Sequence, residues 1–256
     1  MSGIALLNPS DPDPVQSICN PSHTSPFLLV GDHAGTAIPQ RLGDLGLSAE
    51  DRARHIFVDL GVERLGRLMS ERLKAPFVWQ AYSRLVVDCN RKPATRDWAA
   101  PISDGTRIPG NCDLSEGDLA ARHDEIFEPY HAAIADMIDR RTKRGIETIL
   151  ISLHSFTPQM QGKRRPWELC VLHDGARYAF AKDVLAHLQT GDRVIGDNEP
   201  YRMDETDYTV PRHAFARGLR YAEIEVRQDI VLDETETVVA LLADAFEAAA
   251  RDAEKR

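Results

Sequence analysis

A chain of 256 residues with 43% hydrophobic and 28% charged side chains has ordinary globular usage, which sets aside disorder, collagen and coiled coil. Forty acidic against 31 basic side chains give a net charge of −9, so there is no basic surplus to displace counterions from nucleic acid or to sit on anionic lipid. No run approaches the ~20 apolar residues of a membrane span, and the opening MSGIALLNPSDPDPVQ lacks the basic region of a secretory signal. Four cysteines, Cys19, Cys89, Cys112 and Cys170, have no CxxC spacing. They read as free thiols in a reducing cytoplasm, the expected location, and not as a zinc–thiolate site.

Residues 1–26 form an N-terminal arm, rich in Pro, Ser, Asp and Asn from residue 8 and expected to hug the surface. The first strand is PFLLVGDHAG, with the apolar run Phe27 to Val30 closed by Gly31 and Gly35. Ser48-Ala-Glu-Asp opens a helix expected to run to about Leu73, with Ile56, Leu60, Leu65, Leu68, Met69 and Leu73 on its apolar stripe. After Pro76, FVWQ and SRLVVDCNR read as strands. Residues 92–113 lack periodicity and carry three Pro and two Gly, a long loop and a candidate lid. Ser115-Glu-Gly-Asp caps a second long helix that Gly145 stops, with His123 and His131 placed on its surface. ETILISLHS and WELCVLHD are strands, followed by a helix over 176–189, a strand at RVIGD and a short helix after Thr209. YAEIEVRQD alternates like a strand, and a helix over about 234–254 closes the chain. Strands alternating with helices, without repeat or linker, predict one α/β domain: a three-layer sandwich on a mostly parallel mixed sheet.

In open α/β sheets ligands sit beyond the carboxyl ends of the strands. The residues just past three predicted strands are His33, Asn90-Arg91 and His154. Two imidazoles and one carboxylate with an open fourth position make a hydrolytic zinc site. The carboxylate is Asp59, which falls inside the apolar stripe of its helix, where a carboxylate needs an arginine or a cation; Glu63, one turn on, is the alternative. Arg84, Asn90 and Arg91 surround a core strand, with Asp88 beneath them, and arginine forks bind carboxylates bidentately. Arg84 with Asp88 reads equally as an internal brace. Glu223, Glu225 and Arg227 share one face of their strand, either as a solvated edge or as a carboxylate general base beside a metal site. Lys163-Arg164-Arg165 reads as a solvated loop, with an arginine near an anionic substrate as the alternative, and His55 and His213 stay open. There is no P-loop, dinucleotide GxGxxG, GxSxG elbow or HExxH.

In series, Gly31-Asp-His-Ala-Gly-Thr-Ala-Ile-Pro39, Asp59-Leu-Gly, Ser83-Arg-Leu-Val-Val-Asp-Cys-Asn-Arg91, His154-Ser-Phe, Asp197-Asn-Glu-Pro-Tyr201 and Glu225-Val-Arg-Gln-Asp229 resemble the N-formylglutamate amidohydrolase family over about residues 27–250. The resemblance implies a phosphorylase/hydrolase-like catalytic domain over 27–256, related to zinc carboxypeptidases and aspartoacylase-like deacylases. It implies zinc, or another divalent metal, on His33, Asp59 and His154. Glu225 would be the catalytic base, and Arg91, with Asn90, Arg84 and Arg227, would hold the carboxylate of a small N-acyl amino acid such as N-formyl-L-glutamate. The relatives' His-x-x-Glu ligand pair is absent, because Thr36 stands third after His33. Two alternatives stay open: a zinc peptidase or other acyl-amino-acid deacylase, and a metal-free binder of acidic metabolites. The sequence gives no oligomeric state.

Overall fold

The computed structural model describes residues 5–20 and 24–254. Its centre is a seven-stranded sheet built from β1 (Val15–Ile18), β2 (Phe27–Gly31), β3 (Phe77–Gln80), β6 (Ile149–Phe156), β9 (Leu169–Leu172), β10 (Ile195–Asp197) and β11 (Arg220–Arg227), in the order β1-β3-β2-β6-β11-β9-β10. Four pairs, β3–β2, β2–β6, β6–β11 and β9–β10, run parallel. The pairs β1–β3 and β11–β9 are antiparallel. Two hairpins, β4 (Ile102–Ser103) with β5 (Thr106–Arg107) and β7 (Gln159–Met160) with β8 (Lys163–Arg164), lie outside the sheet.

Both sheet faces are covered, which is why the central strands are apolar runs. One layer holds α1 (Val62–Leu73), α4 (Ala179–Leu188), α6 (Gln228–Asp233) and α7 (Thr235–Glu254), packed on Leu29, Ile151, Leu153, Ala222 and Ile224. The other holds α2 (Glu116–Arg122), α3 (Glu128–Lys143), α5 (Thr209–His213) and long irregular segments, packed on Leu28, Val30, Leu150 and Tyr221. The predicted three-layer α/β sandwich is the architecture found. Among the described residues, no helix is long and apolar enough to cross a membrane.

Several local expectations are corrected. The arm does not merely lie on the surface, since its β1 extends the sheet edge against β3. The helix expected from Ser48 is a short 3₁₀ turn at Asp51–Ala53, then a loop, and α1 begins only at Val62. Gly61 ends that loop at φ +83°, where a Cβ would meet Val231 at 2.7 Å, so the break is built in. SRLVVDCNR is not a strand but a run of turns, closed by Val86 N–H to Ser83 O at 2.9 Å and Arg91 N–H to Asp88 O at 3.2 Å. Its apolar residues mimic a strand because Leu85, Val86 and Val87 are all driven into the core of the second layer. The 92–113 segment is not built as a lid: Trp98 and Ile108 are buried, and Asn111 donates to Leu85 O and Ala100 O. By contrast the Ser115 cap is found as expected, with a reciprocal bond to Asp118.

Candidate metal and active site

β6 and β11 run parallel in register, with Ser152 opposite Glu223 and His154 opposite Glu225. Side chains alternate across a strand, so these four face the same layer as Leu150 and Tyr221. The second core therefore turns polar toward the carboxyl ends of its strands. Glu223 and Glu225 are 2% and 8% exposed on an interior strand, which rules out the solvated-edge reading.

His33 follows β2 in a loop that lies directly on the chain after β3. A Cβ on Gly35 would stand 2.1 Å from Ala81 O, so only glycine permits this approach, which Ala37 N–H to Ala81 O at 3.0 Å fastens. Asp59 is carried by the loop before α1, its N–H on His33 O at 3.0 Å. The two rings lie 4.9 Å apart, and both turn Nδ1 toward one oxygen: Asp59 Oδ2 is 3.0 Å from His154 Nδ1 and 3.4 Å from His33 Nδ1. The far nitrogens are held elsewhere. His33 Nε2 lies 2.7 Å from Asp88 Oδ1, and His154 Nε2 lies 3.0 Å from Ser152 Oγ and 3.6 Å from Asp32 Oδ2.

These residues fit a divalent cation. His33, Asp59 and His154 are buried and each offers a ligand atom, all within 4.8 Å of one another. Tetrahedral zinc with ~2.0–2.1 Å bonds to nitrogen and oxygen needs ligand edges of about 3.3 Å, close to the two separations above. His33 Nδ1 is buried with no hydrogen-bond partner. The carboxylate and hydroxyl behind the rings fix their orientation, as outer partners of metal-ligating histidines do. The local field also favours positive charge. Burial alone would lower the pKa of His154, yet Asp59, Glu223 and Glu225 raise it to about 10. Burial likewise opposes ionisation of Asp59, and His33, His154 and Arg84 hold its carboxyl well below its ordinary value.

A cleft of about 380 Å³ opens on this triad. Glu225 lines it with Oε2 unpartnered, and burial pushes its pKa up to about 7 against the pull of His154. Glu223 is driven up further, by burial and then by Asp207. Arg84 also lines the cleft, but its two ends hold Asp59 at 3.1 Å and Asp88 at 2.8 Å, tying the triad's carboxylate to the one behind His33. Asn90 and Arg91 form a fork at the mouth. Asn90 Oδ1 accepts Tyr208 N–H and Thr209 N–H, while Asn90 Nδ2 and Arg91 Nη1 each point at Asp207 Oδ1 from 3.4 Å.

Other sequence-stretch expectations fall elsewhere. Arg227 does not line the cleft: its guanidinium donates to Asp229 and to the carbonyls of Arg165, Pro166 and Trp167. Glu63 is half-buried and paired with Arg67, and it is not one of the three residues of this cluster. His55 lines the cleft. His131 is not on the surface but buried against His213, with Nδ1 and Nε2 3.0 Å apart. Asp32, Ser152, Tyr201 and Asp207 were missed. Ser152 had a signal, standing two residues before His154 on the same strand face, whereas the loop residues had none in local spacing.

The sequence pattern of the N-formylglutamate amidohydrolase family matches residues 25–232. In three dimensions the chain is similar to the crystal structure of an Agrobacterium tumefaciens gene product, with TM-score 0.92 and 32% identity, covering 97% of this chain and 99% of that one. It is also similar to N-formylglutamate amidohydrolase from Ralstonia eutropha, with TM-score 0.68 and 18% identity, covering 95% and 100% of the two chains, a likeness of fold. No curated protein sequence matches the chain.

Proposed function

The chain belongs to the N-formylglutamate amidohydrolase family, and on that premise we propose that it is a metal-dependent enzyme removing the N-formyl group from N-formyl-L-glutamate or a close acidic analogue. The observation that carries this reading is the convergence of His33 Nδ1, His154 Nδ1 and Asp59 Oδ2 beside the unpartnered Glu225. A divalent cation held by those three residues, zinc by the nature of the donors, would supply Lewis acidity toward the amide carbonyl and toward water.

The remaining roles belong to the chain's own groups. Glu225 Oε2 takes the proton of the attacking water and returns it to the amine nitrogen as the carbon–nitrogen bond breaks, releasing formate and the free amino acid. Its burial raises its pKa to about 7, and the positive charge of a bound cation would lower it. Asp88 and Ser152 hold the two imidazoles by their far nitrogens, and Arg84 steadies Asp59 and Asp88 together. Arg91 with Asn90 Nδ2 takes a substrate carboxylate, displacing Asp207 from the fork; that remote contact sets the amide over Glu225. Four free cysteines support a reducing, cytoplasmic setting.

The test is deformylation of N-formyl-L-glutamate by the purified protein as isolated, after chelation, and after zinc is restored, with metal content measured throughout. Activity should follow bound metal. Full activity in chelated, metal-free protein would sink the metal assignment, and no hydrolysis by fully loaded protein would sink the substrate.

A further inference from the structure

Among the described residues four arginines are buried, and three are each held by three or more oxygen acceptors. Arg122 donates to Val86 O, Gly110 O and Asn111 Oδ1. Arg141 donates to Thr148 Oγ1, Ser25 O and Glu147 O. Arg227 donates to Asp229 and three carbonyls. Arg165, 9% exposed, is different. Its Nη1 donates to the Tyr201 hydroxyl at 2.8 Å, and its Nη2 meets Met160 Sδ, a weak acceptor. Like Arg122 and Arg141 it has no carboxylate of the described residues within ion-pair distance, but unlike them it has a single oxygen acceptor in place of three. A buried guanidinium is costly unless paired, and its contacts with the faces of Tyr201 and Phe156, at 4.7 and 5.8 Å, offset that only in part.

The place of Arg165 is as telling as its lack of a counter-charge. Arg165 does not itself line the cleft that opens on the triad, but Tyr201 and Phe156, the two rings it contacts, both do. Tyr201 Oη accepts from Arg165, and its own proton has no acceptor among the described residues, so it is free to donate. The backbone of Arg165 is held on both sides, by its N–H on Pro158 O at 2.9 Å and by Arg227 on its carbonyl. Arg227 is therefore a positioning residue for Arg165.

We infer that Arg165 and Tyr201 form a second carboxylate-binding site of the cleft, distinct from the Asn90–Arg91 fork, and that this pair selects substrates carrying two carboxylates. The inference rests on the substrate reading above and assigns one carboxylate to each arginine. The phenol donates to the ligand carboxylate from the cleft wall, and Arg165, donating to that phenol from behind, supplies the opposing charge, so the buried cation gains an anion nearby only with an acidic side chain bound.

The test compares kcat/KM for N-formyl-L-glutamate with that for the near-isosteric, uncharged N-formyl-L-glutamine. Arg165→Met should lower the glutamate/glutamine ratio about 10- to 100-fold with glutamine turnover little changed, the loss expected for a hydrogen bond to a charged group. Arg165→Lys should fall between, and Tyr201→Phe should lower the ratio about tenfold. If Arg165→Met does not fold, as judged by circular dichroism, the lysine and phenylalanine variants decide in its place. An unchanged ratio, or equal loss on both substrates, overturns the proposal. If the wild type hydrolyses neither compound, the amide-hydrolysis reading fails by itself, and calorimetry with glutarate decides this one. A tenfold or greater weakening in Arg165→Met supports the second site; equal affinities, or no binding by the wild type, overturn it.

Discussion

Two pairs of buried histidines sit a short way apart in this fold and behave in opposite ways. His33 and His154 are 2% and 3% exposed, and His131 and His213 are each 0% exposed. Burial alone disfavours the imidazolium in both pairs. In the first, Asp59 lies between the rings with Glu223 and Glu225 nearby, and the pKa of His154 is carried up to about 10. In the second, the rings stack at 5.2 Å with only the Cys89 carbonyl against His131 Nε2, and Arg212 and Arg217 stand close by. The pKa of His213 falls to about 3. A histidine's burial therefore does not distinguish site from core. What surrounds the two nitrogens does: a shared carboxylate makes an arrangement that fits a cation, and a shared proton between neutral rings makes a structural bond.

That contrast is broken most directly by removing one histidine from each pair. His154→Ala should lose bound metal and at least about 10³-fold in activity, since ligand and field vanish together. His213→Gln should keep full metal and activity within about threefold, because neither His213 nor its partner His131 lines the cleft. Elemental analysis beside the deformylation assay checks both. Equal metal in wild type and His154→Ala would mean the converging nitrogens are not ligands.

Glu225→Gln sharpens the same contrast from within the site. Metal content should be unchanged while kcat falls about 10²- to 10⁴-fold, the range for losing a general base. Asp88→Asn tests the support behind His33 Nε2, where the carboxylate also holds Arg84 and Asn90 N–H. Metal affinity should weaken about 10- to 100-fold, read by competition with a chelator of known affinity. An unchanged affinity would show that the ring needs no such partner.

The structural pair makes its own prediction in pH. His213 has a folded pKa near 3 against an ordinary 6.5, so the unfolded chain takes up the extra proton between those values. Stability contributed by the neutral ring is complete above pH 6.5 and is lost as pH falls toward 3. From pH 6 to pH 4 the loss should be about 2 kcal/mol. Denaturant unfolding of wild type and His213→Gln at both pH values checks it, since carboxylates titrate alike in the two proteins. A pH dependence identical in the two would show that His213 is not held neutral.

The sequence carried the frame and the identity of the triad, and the reason is periodicity. PFLLV and ILISLHS are apolar because both sheet faces are covered, and His33 and His154 stood out as the polar residues at their carboxyl ends, whereas the alternation of YAEIEV read as a solvated edge and Glu225 was named through the family resemblance. Asp59 was named for a reason that the fold does not share. It is not on a helix stripe; it ends up beside the rings because Gly61 breaks the chain and its N–H bonds to His33 O. Arg84 and Asp88 looked like a strand pair, yet they meet across a turn four residues apart. Arg165 and Tyr201, 36 residues apart in two loops, share a hydrogen bond that no local pattern encodes. Contacts made by strand register were readable, whereas contacts made by loop closure were not.

The smallest effect concerns the carboxylate that the chain itself places in the fork. Asp207 Oδ1 stands 3.4 Å from both Asn90 Nδ2 and Arg91 Nη1, and its other oxygen accepts Asp204 N–H at 2.8 Å. Burial raises its pKa, although Asp204 N–H and Arg91 pull it back, so the fork holds this anion loosely. A substrate carboxylate must compete with it. Asp207→Asn removes the charge while keeping an acceptor for Asp204 N–H, so KM for N-formyl-L-glutamate should fall about two- to fivefold with kcat unchanged, the scale of a partly exposed ion pair. Initial-rate kinetics at saturating metal read this directly. A rise in KM would mean that Asp207 orients Arg91 toward the ligand instead of occupying its place.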